Sequence, residues 1–267
     1  MPKVNTNGIE LYYEIHGEGT PLVLISGLGY SLWQWHLMVP YLEKHFQVIT
    51  FDNRGVGQTD KPAGPYTASM LARDLLGLLG ALGIDKAVVM GHSMGGFIAQ
   101  AMALEYPQRV DKLILASTNF GGPRHVPVTP EAMAVLSDVK SDPLTRLRNG
   151  IMISTAPGFA ERHPELIQKW LDWRTANPLD IAGYQAQMRI GVALLAEAAA
   201  FENKIPNISV PTLILFGAHD KVVPPANADL LAKQIAGSQT RILPDAGHFF
   251  PLEVPEEAAQ VVIEFAK

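Results

Sequence analysis

Three residues of this chain have the types and the chain order required for nucleophilic acyl chemistry: Ser93, Asp220 and His248. Ser93 sits in Gly91-His92-Ser93-Met94-Gly95-Gly96, after the apolar run Ala87–Met90 and ahead of Phe97-Ile98-Ala99-Gln100-Ala101. Strand, glycine-flanked serine, helix is a sharp turn that lifts the hydroxyl clear of the backbone. The glycines are needed wherever a Cβ would strike neighbouring chain. Alone, Gly-x-Ser-x-Gly arises by chance in about one chain in ten of this length. The same residues would also serve a plain turn that packs a helix close to a sheet, so the partners must decide.

A serine hydroxyl is a weak nucleophile near neutral pH and needs a base, normally a histidine oriented by a carboxylate. The strand-like run Leu213–Phe216 leads into Gly217-Ala218-His219-Asp220, and Ile242-Leu243-Pro244 leads into Asp245-Ala246-Gly247-His248-Phe249-Phe250. Both loops follow parallel strands, on the edge where open α/β sheets place their sites. Asp220 is therefore read as the acid and His248 as the base. Asp245 is the alternative acid, but three residues before His248 it better suits a turn; His219 as base would need a carboxylate of its own. The oxyanion hole requires two backbone N–H groups. Met94, directly after the nucleophile, supplies one, and Leu28 in the loop Ser26-Gly27-Leu28-Gly29 is read as the other.

The elements that must hold these groups are legible as pattern. Asn7-Gly8 joins Lys3–Thr6 to Glu10–His16 as a hairpin, in which Ile9, Leu11, Tyr13 and Ile15 alternate with polar neighbours. Leu22–Ile25, Val48–Phe51, Ala87–Met90, Leu113–Ala116, Leu213–Phe216 and Thr240–Leu243 lack alternation, as strands covered on both faces do. Helical stretches such as Ala68–Leu82 and Gly95–Tyr106 fall between most of them, which predicts a mostly parallel sheet with helices on both faces. Between about Phe120 and Ile205 the strands stop and prolines punctuate. Asp142-Pro143 and Asn177-Pro178 read as helix N-caps with proline at the first helical position. Tyr184, Met188, Val192 and Leu195 form one apolar helical stripe. The expected organisation is core over 1–119, helical cap over 120–205 and core again over 206–267.

Bulk properties narrow the class. A chain of 267 residues that is 48% hydrophobic and 18% charged can bury a sizeable core. A net charge of −5 without basic runs argues against nucleic acid and against an anionic membrane surface. The apolar stretches are broken by Arg73-Asp74 and Glu197, and the N-terminus lacks a signal peptide's apolar core, so the cytoplasm is the expected compartment. There is no cysteine, which excludes disulfides and thiolate chemistry. His16, His36, His45, His125 and His163 show no metal-ligand spacing, and no metal is expected.

The serine turn, Asp52-Asn53-Arg54-Gly55-Val56-Gly57, Gly217–Asp220 and Asp245–His248 together resemble the α/β-hydrolase superfamily, specifically its small esterase and lactonase-like members. The resemblance covers essentially the whole chain, with four motifs in the family's order. It implies an eight-stranded sheet with the second strand antiparallel, a helical cap after the sixth, no cofactor, and an Arg54 that fixes loops. Two positions depart from the family: Ser26-Gly27 stands where His-Gly is usual, and Thr59 where serine commonly ends the Arg-Gly-x-Gly motif. The first departure predicts an oxyanion loop that is braced differently.

A serine at position 93, where the superfamily's dehalogenases and epoxide hydrolases would carry aspartate, predicts an acyl-enzyme and a small-molecule ester or lactone substrate. The expected pocket wall draws on Trp33 and Trp35, Met94 and Phe97, and Phe249 and Phe250. The cap would add Met152, Phe159, Trp170, Trp173 and Met188. Few of the cap residues are charged, which favours an uncharged acyl group of modest size and a carboxylesterase. The stretch Phe159–Leu166 with Gly183-Tyr184 also resembles caps of 3-oxoadipate enol-lactonases, in which case Arg162, Arg174 or Arg189 would meet an anionic substrate. A receptor that keeps the three residues but signals through its cap is the reading from another class.

Overall fold

The computed structural model describes residues 2–138, 140–196 and 201–267. Among them, eight strands form one sheet: β1 (Lys3–Thr6), β2 (Ile9–His16), β3 (Pro21–Ile25), β4 (Gln47–Phe51), β5 (Ala87–His92), β6 (Val110–Ala116), β7 (Thr212–Gly217) and β8 (Gln239–Leu243). Their spatial order is β1-β2-β4-β3-β5-β6-β7-β8. β2 runs antiparallel to β1 and to β4, and every other pairing is parallel, as expected. Asn7 at φ 45° and Gly8 at φ 76° make the first turn, the conformation that selects this residue pair.

The helices are α1 (Val39–Leu42), α2 (Ala68–Ala81), α3 (Met94–Glu105), α4 (Pro130–Leu136), α5 (Pro143–Ser154), α6 (Phe159–Arg162), α7 (Pro164–Ala176), α8 (Ile181–Leu194), α9 (Ala226–Gln234), α10 (Phe250–Glu253) and α11 (Pro255–Ala266). Period-two geometry lets each strand serve two cores. Leu22 and Leu24 pack with α1 and α11 on one face, while Val23 and Ile25 pack with α2, α3 and α9 on the other. This two-sided burial is why the central strands read as unbroken apolar runs. α4 to α8 all lie between β6 and β7, over the edge where the parallel strands end.

Four details differ from the expectations. β8 is an edge strand paired with β7, and its Ile242 is 43% exposed rather than covered on both faces. In β2 the alternation fails: Tyr12 is buried and Ile15 exposed, the Tyr12 O–H donating to Glu14 Oε1 at 2.5 Å. Asp142 does cap α5, accepting from Leu144 and Thr145 N–H. Asn177, however, closes α7, with both its backbone N–H and its side chain donating to Trp173 O. The cap of α8 is Asp180, which accepts from Gly183 N–H at 2.7 Å.

The fourth difference concerns which face of α8 is inward. Gly183, Ala186, Gln187, Ile190 and Leu194 are buried, whereas Met188, Val192 and Leu195 are exposed. Close approach selects that face. A Cβ on Gly183 would lie 2.1 Å from Gly55 O, and one on Gly64 would lie 2.7 Å from Ala186 Cβ. Only small residues permit such contact, so the helix docks by its smallest side chains and leaves larger apolar ones outside.

Candidate active site

Parallel register brings the ends of the central strands level: Ile25 pairs with Gly91, His92 with Ala116, Ala116 with Leu215, and Gly217 with Leu243. The loops leaving β3, β5, β7 and β8 therefore open on one edge. Ser93 follows β5 at φ 55°, ψ −119°, a strained conformation for any residue with a Cβ. Its backbone is locked there: Ser93 N–H donates to Ala116 O at 2.9 Å, and Ser93 O accepts from Gly96 N–H and from Thr118 Oγ1. A Cβ at Gly91 would fall 2.2 Å from Gly95 O, and one at Gly95 2.3 Å from Ile25 O. Those contacts bind β5, α3 and the end of β3 into one rigid corner. Ser93 is half-buried, and its Oγ makes no hydrogen bond among the described residues.

His248 and Asp220 meet, with Nδ1 and Oδ2 2.8 Å apart, and both side chains are buried. Asp220 Oδ1 accepts from Val222 and Val223 N–H at 2.9 and 2.7 Å, which fixes the carboxylate. The two loops touch through glycine, since a Cβ on Gly217 would lie 2.2 Å from Gly247 O, and His219 N–H donates to Ala246 O. The competing candidates lie outward. His219 and Asp245 are exposed and border an open cleft of about 530 Å³ with Arg162, His163 and Glu253.

Two supporting residues escaped the sequence reading. His92 is wholly buried, its ring 4.7 Å from that of His248, and its Nε2 lies 2.8 Å from His248 O. Burial pushes its pKa well below the ordinary 6.5, with His248 adding to the effect, so the ring is neutral. The network then assigns the proton to Nε2, which donates to His248 O and anchors the backbone there. Glu253 is the second: its two carboxylate oxygens accept from Ala156 N–H at 2.6 Å and Gly247 N–H at 3.0 Å. Burial, and secondarily the neighbouring Asp220 charge, push its pKa up to about 7. A glutamate that ends a four-residue helix carries no local mark of either contact.

The loop Ser26–Gly29 passes beside the elbow, where a Cβ on Gly27 would lie 3.2 Å from Ser93 Cβ. Ser26 takes a structural part. Its Oγ accepts from Trp35 Nε1 at 3.0 Å and donates to Ser31 O, while Asn53 Nδ2 donates to Ser26 O. Gly27 N–H is bound to Gln34 Oε1 and Gly29 N–H to Gln187 Oε1, both at 2.9 Å. Leu28 N–H, between them, donates to nothing among the described residues. Met94 N–H is the first of α3, where a helix has no internal acceptor to offer. Arg54 binds Asp74 through Nε and Nη2 at 2.8 and 2.7 Å and also reaches Asn7 O, tying the 52–57 loop to α2 and the first hairpin.

The expected pocket residues scatter. Trp33 stacks on Trp173 at 4.2 Å, Trp170 on Phe159 at 5.9 Å, and Phe249 meets Tyr30 edge-on at 5.4 Å. Trp33, Trp170 and Phe249 share a cap–core seam whose free space, about 10 Å³, is about that of one water. Trp35 belongs to the core beneath the sheet, its indole committed to Ser26. Phe97 is half-buried against the main core, and Met188 is 43% exposed on α8. No group of three or more His, Asp or Glu among the described residues is placed to hold a metal ion, and no helix among them is long and apolar enough to cross a membrane.

Comparison with known proteins agrees with this fold. The chain is 30% identical over 256 residues to 3-oxoadipate enol-lactonase 2 of Acinetobacter baylyi, covering 93% of this chain and 90% of that one. It superposes on a thermophilic esterase from Thermogutta terrifontis with a TM-score of 0.82 at 32% identity, covering 100% and 98% of the two chains. A meta-cleavage product hydrolase from Pseudomonas fluorescens IP01 gives a TM-score of 0.84 at 27% identity over 100% and 97%. The alpha/beta hydrolase fold family matches residues 20–255. The chain belongs to that family, the α/β hydrolases.

Proposed function

We propose that this hydrolase cleaves carboxylic esters of small to medium, mainly uncharged acyl groups through an acyl-enzyme on Ser93. The observation that carries the reading is the buried His248–Asp220 pair on the same sheet edge as the strained serine turn. His248 Nε2 takes the Ser93 proton as Oγ attacks the substrate carbonyl, and Asp220 holds Nδ1–H and stabilises the imidazolium. The carbonyl oxygen gains negative charge facing Leu28 and Met94 N–H. Collapse of this adduct expels the alcohol, which receives the proton from His248. Water then attacks the acyl-enzyme with His248 again as base, releasing the acid and restoring Ser93.

A lactone runs through the same steps, its alcohol and acid leaving as one molecule. The enol-lactonase relative favours that second reading. Against a charged lactone, Arg162 and Arg189 are exposed, and Arg174 is engaged with Gly29 O. A kinetic panel of acyl esters of rising chain length, simple lactones and a charged enol-lactone tests the choice. Higher kcat/KM on neutral esters is expected; preference for the charged enol-lactone replaces the first reading with the second. Ser93→Ala should abolish turnover of every substrate, and retained turnover would remove both.

A further inference from the structure

The oxyanion loop is held from above as well as from below. Gly29 N–H donates to Gln187 Oε1 at 2.9 Å, and the same amide's Nε2 donates to Arg54 O at 2.8 Å. Gln187 lies midway along α8 and is fully buried. In the next peptide unit, Arg174 Nη1 donates to Gly29 O at 3.0 Å, its guanidinium 4.6 Å over the Tyr30 ring. One amide thus bridges two core loops, acceptor to one and donor to the other, and burial removes the water that would compete for either bond. The helix that carries it is pinned by backbone contact, because a Cβ on Gly183 would lie 2.1 Å from Gly55 O and one on Gly29 2.8 Å from the Tyr184 ring.

We propose that the cap belongs to the catalytic apparatus: Gln187, assisted by Arg174, is a positioning residue that aims Leu28 N–H at the developing oxyanion. Gln34 anchors the peptide unit before Leu28 and Gln187 the one after it, so the unit between has little freedom to turn. With Ser26 in place of the histidine usual to the family, the core braces the loop at Ser26 and Gly27 and the cap braces it at Gly29. The inference rests on the serine-hydrolase reading above.

The test is Gln187→Met, which keeps the side chain's length and removes both hydrogen bonds. With Gly29 N–H no longer held and the Leu28 peptide free to turn, kcat should fall about tenfold to a hundredfold while KM stays within about twofold, since the contact acts on the transition state. Affinity for an alkylboronic acid, which forms a tetrahedral adduct on serine, should fall in parallel with kcat. A residue that merely stabilises the fold would lower Tm and leave both unmoved, and that result overturns the proposal, as does a change confined to KM. If Gln187→Met does not fold, half-exposed Arg174→Met reads the same loop; a smaller parallel loss of kcat and boronate affinity supports the proposal, and no loss in either overturns it. Ser93→Ala separates the two levels. Turnover retained there sinks the underlying reading, whereas turnover lost there but kcat kept in Gln187→Met sinks this inference alone.

Discussion

The loops bearing Asp220 and His248 and the loop bearing Leu28 sit on one sheet edge, yet the 120–205 segment reaches them by different means. The first two meet it through backbone, where Phe249 N–H donates to Ser154 O, Thr129 N–H donates to Lys221 O and Gly247 lies against Ser154–Ala156. Gly217 lies against Gly247, His219 N–H bonds Ala246 O, and Asp220 accepts from the two amides that follow it. The Leu28 loop takes its outer restraints from the cap, through Gln187 and Arg174.

The largest expected effects break the core side. Ser93→Ala and His248→Ala should each lower kcat by about 10⁴ or more, with Asp220→Asn costing somewhat less, in steady-state assays on a neutral ester. Asp245→Asn should leave kcat unchanged; the reverse result for the two aspartates would reassign the acid. Next in size is the cap seam. Gly183→Val drives a branched side chain into Gly55 and should destabilise the protein by about 3 kcal/mol in urea denaturation, with kcat falling as α8 lifts from the loop.

Glu253 joins the two sides, since it holds Gly247 of the His248 loop and Ala156 just beyond α5. Its folded pKa, about 7, is raised from 4.5. The proton is therefore bound more tightly in the folded state, and the stability linked to it is complete below pH about 4.5 and lost as pH rises through 7. Charged and titratable neighbours (Asp220, His248, Arg162, His163, His219 and Asp245) share its surroundings. The cost of Glu253→Ala should accordingly be greater at pH 5 than at pH 8, by on the order of 2 kcal/mol in chemical denaturation. A cost that grows with pH would contradict the assignment. The smallest effect is on the seam's rim: Trp173→Ala removes the stacking on Trp33 and should cost about 1 kcal/mol, seen as a lower Tm with little change in kcat.

The strands and the serine turn were legible because each depends on short-range rules. Two-faced burial writes an unbroken apolar run, and a turn without room for Cβ atoms writes glycine at 91 and 95. Chain order then supplied Asp220 and His248. The stripe on α8 was misread for a definite reason: apolar periodicity finds the face that sheds water, whereas this helix is docked by backbone proximity at Gly183 and Ala186. Asn177 was misread because asparagine before proline suits both a helix end and a helix start.

By itself the amino-acid sequence determined the strand pattern, the strained serine turn and the order of Ser93, Asp220 and His248 along the chain, since all of these follow from local sterics and chain order. Tertiary structure alone decided the rest. It made His92 a neutral anchor, gave Glu253 a raised pKa, sealed Trp33, Trp170 and Phe249 into a seam, and set Gln187 on the Leu28 loop. Those roles are created by burial and by partners up to 158 positions away in the chain, and no local pattern records them.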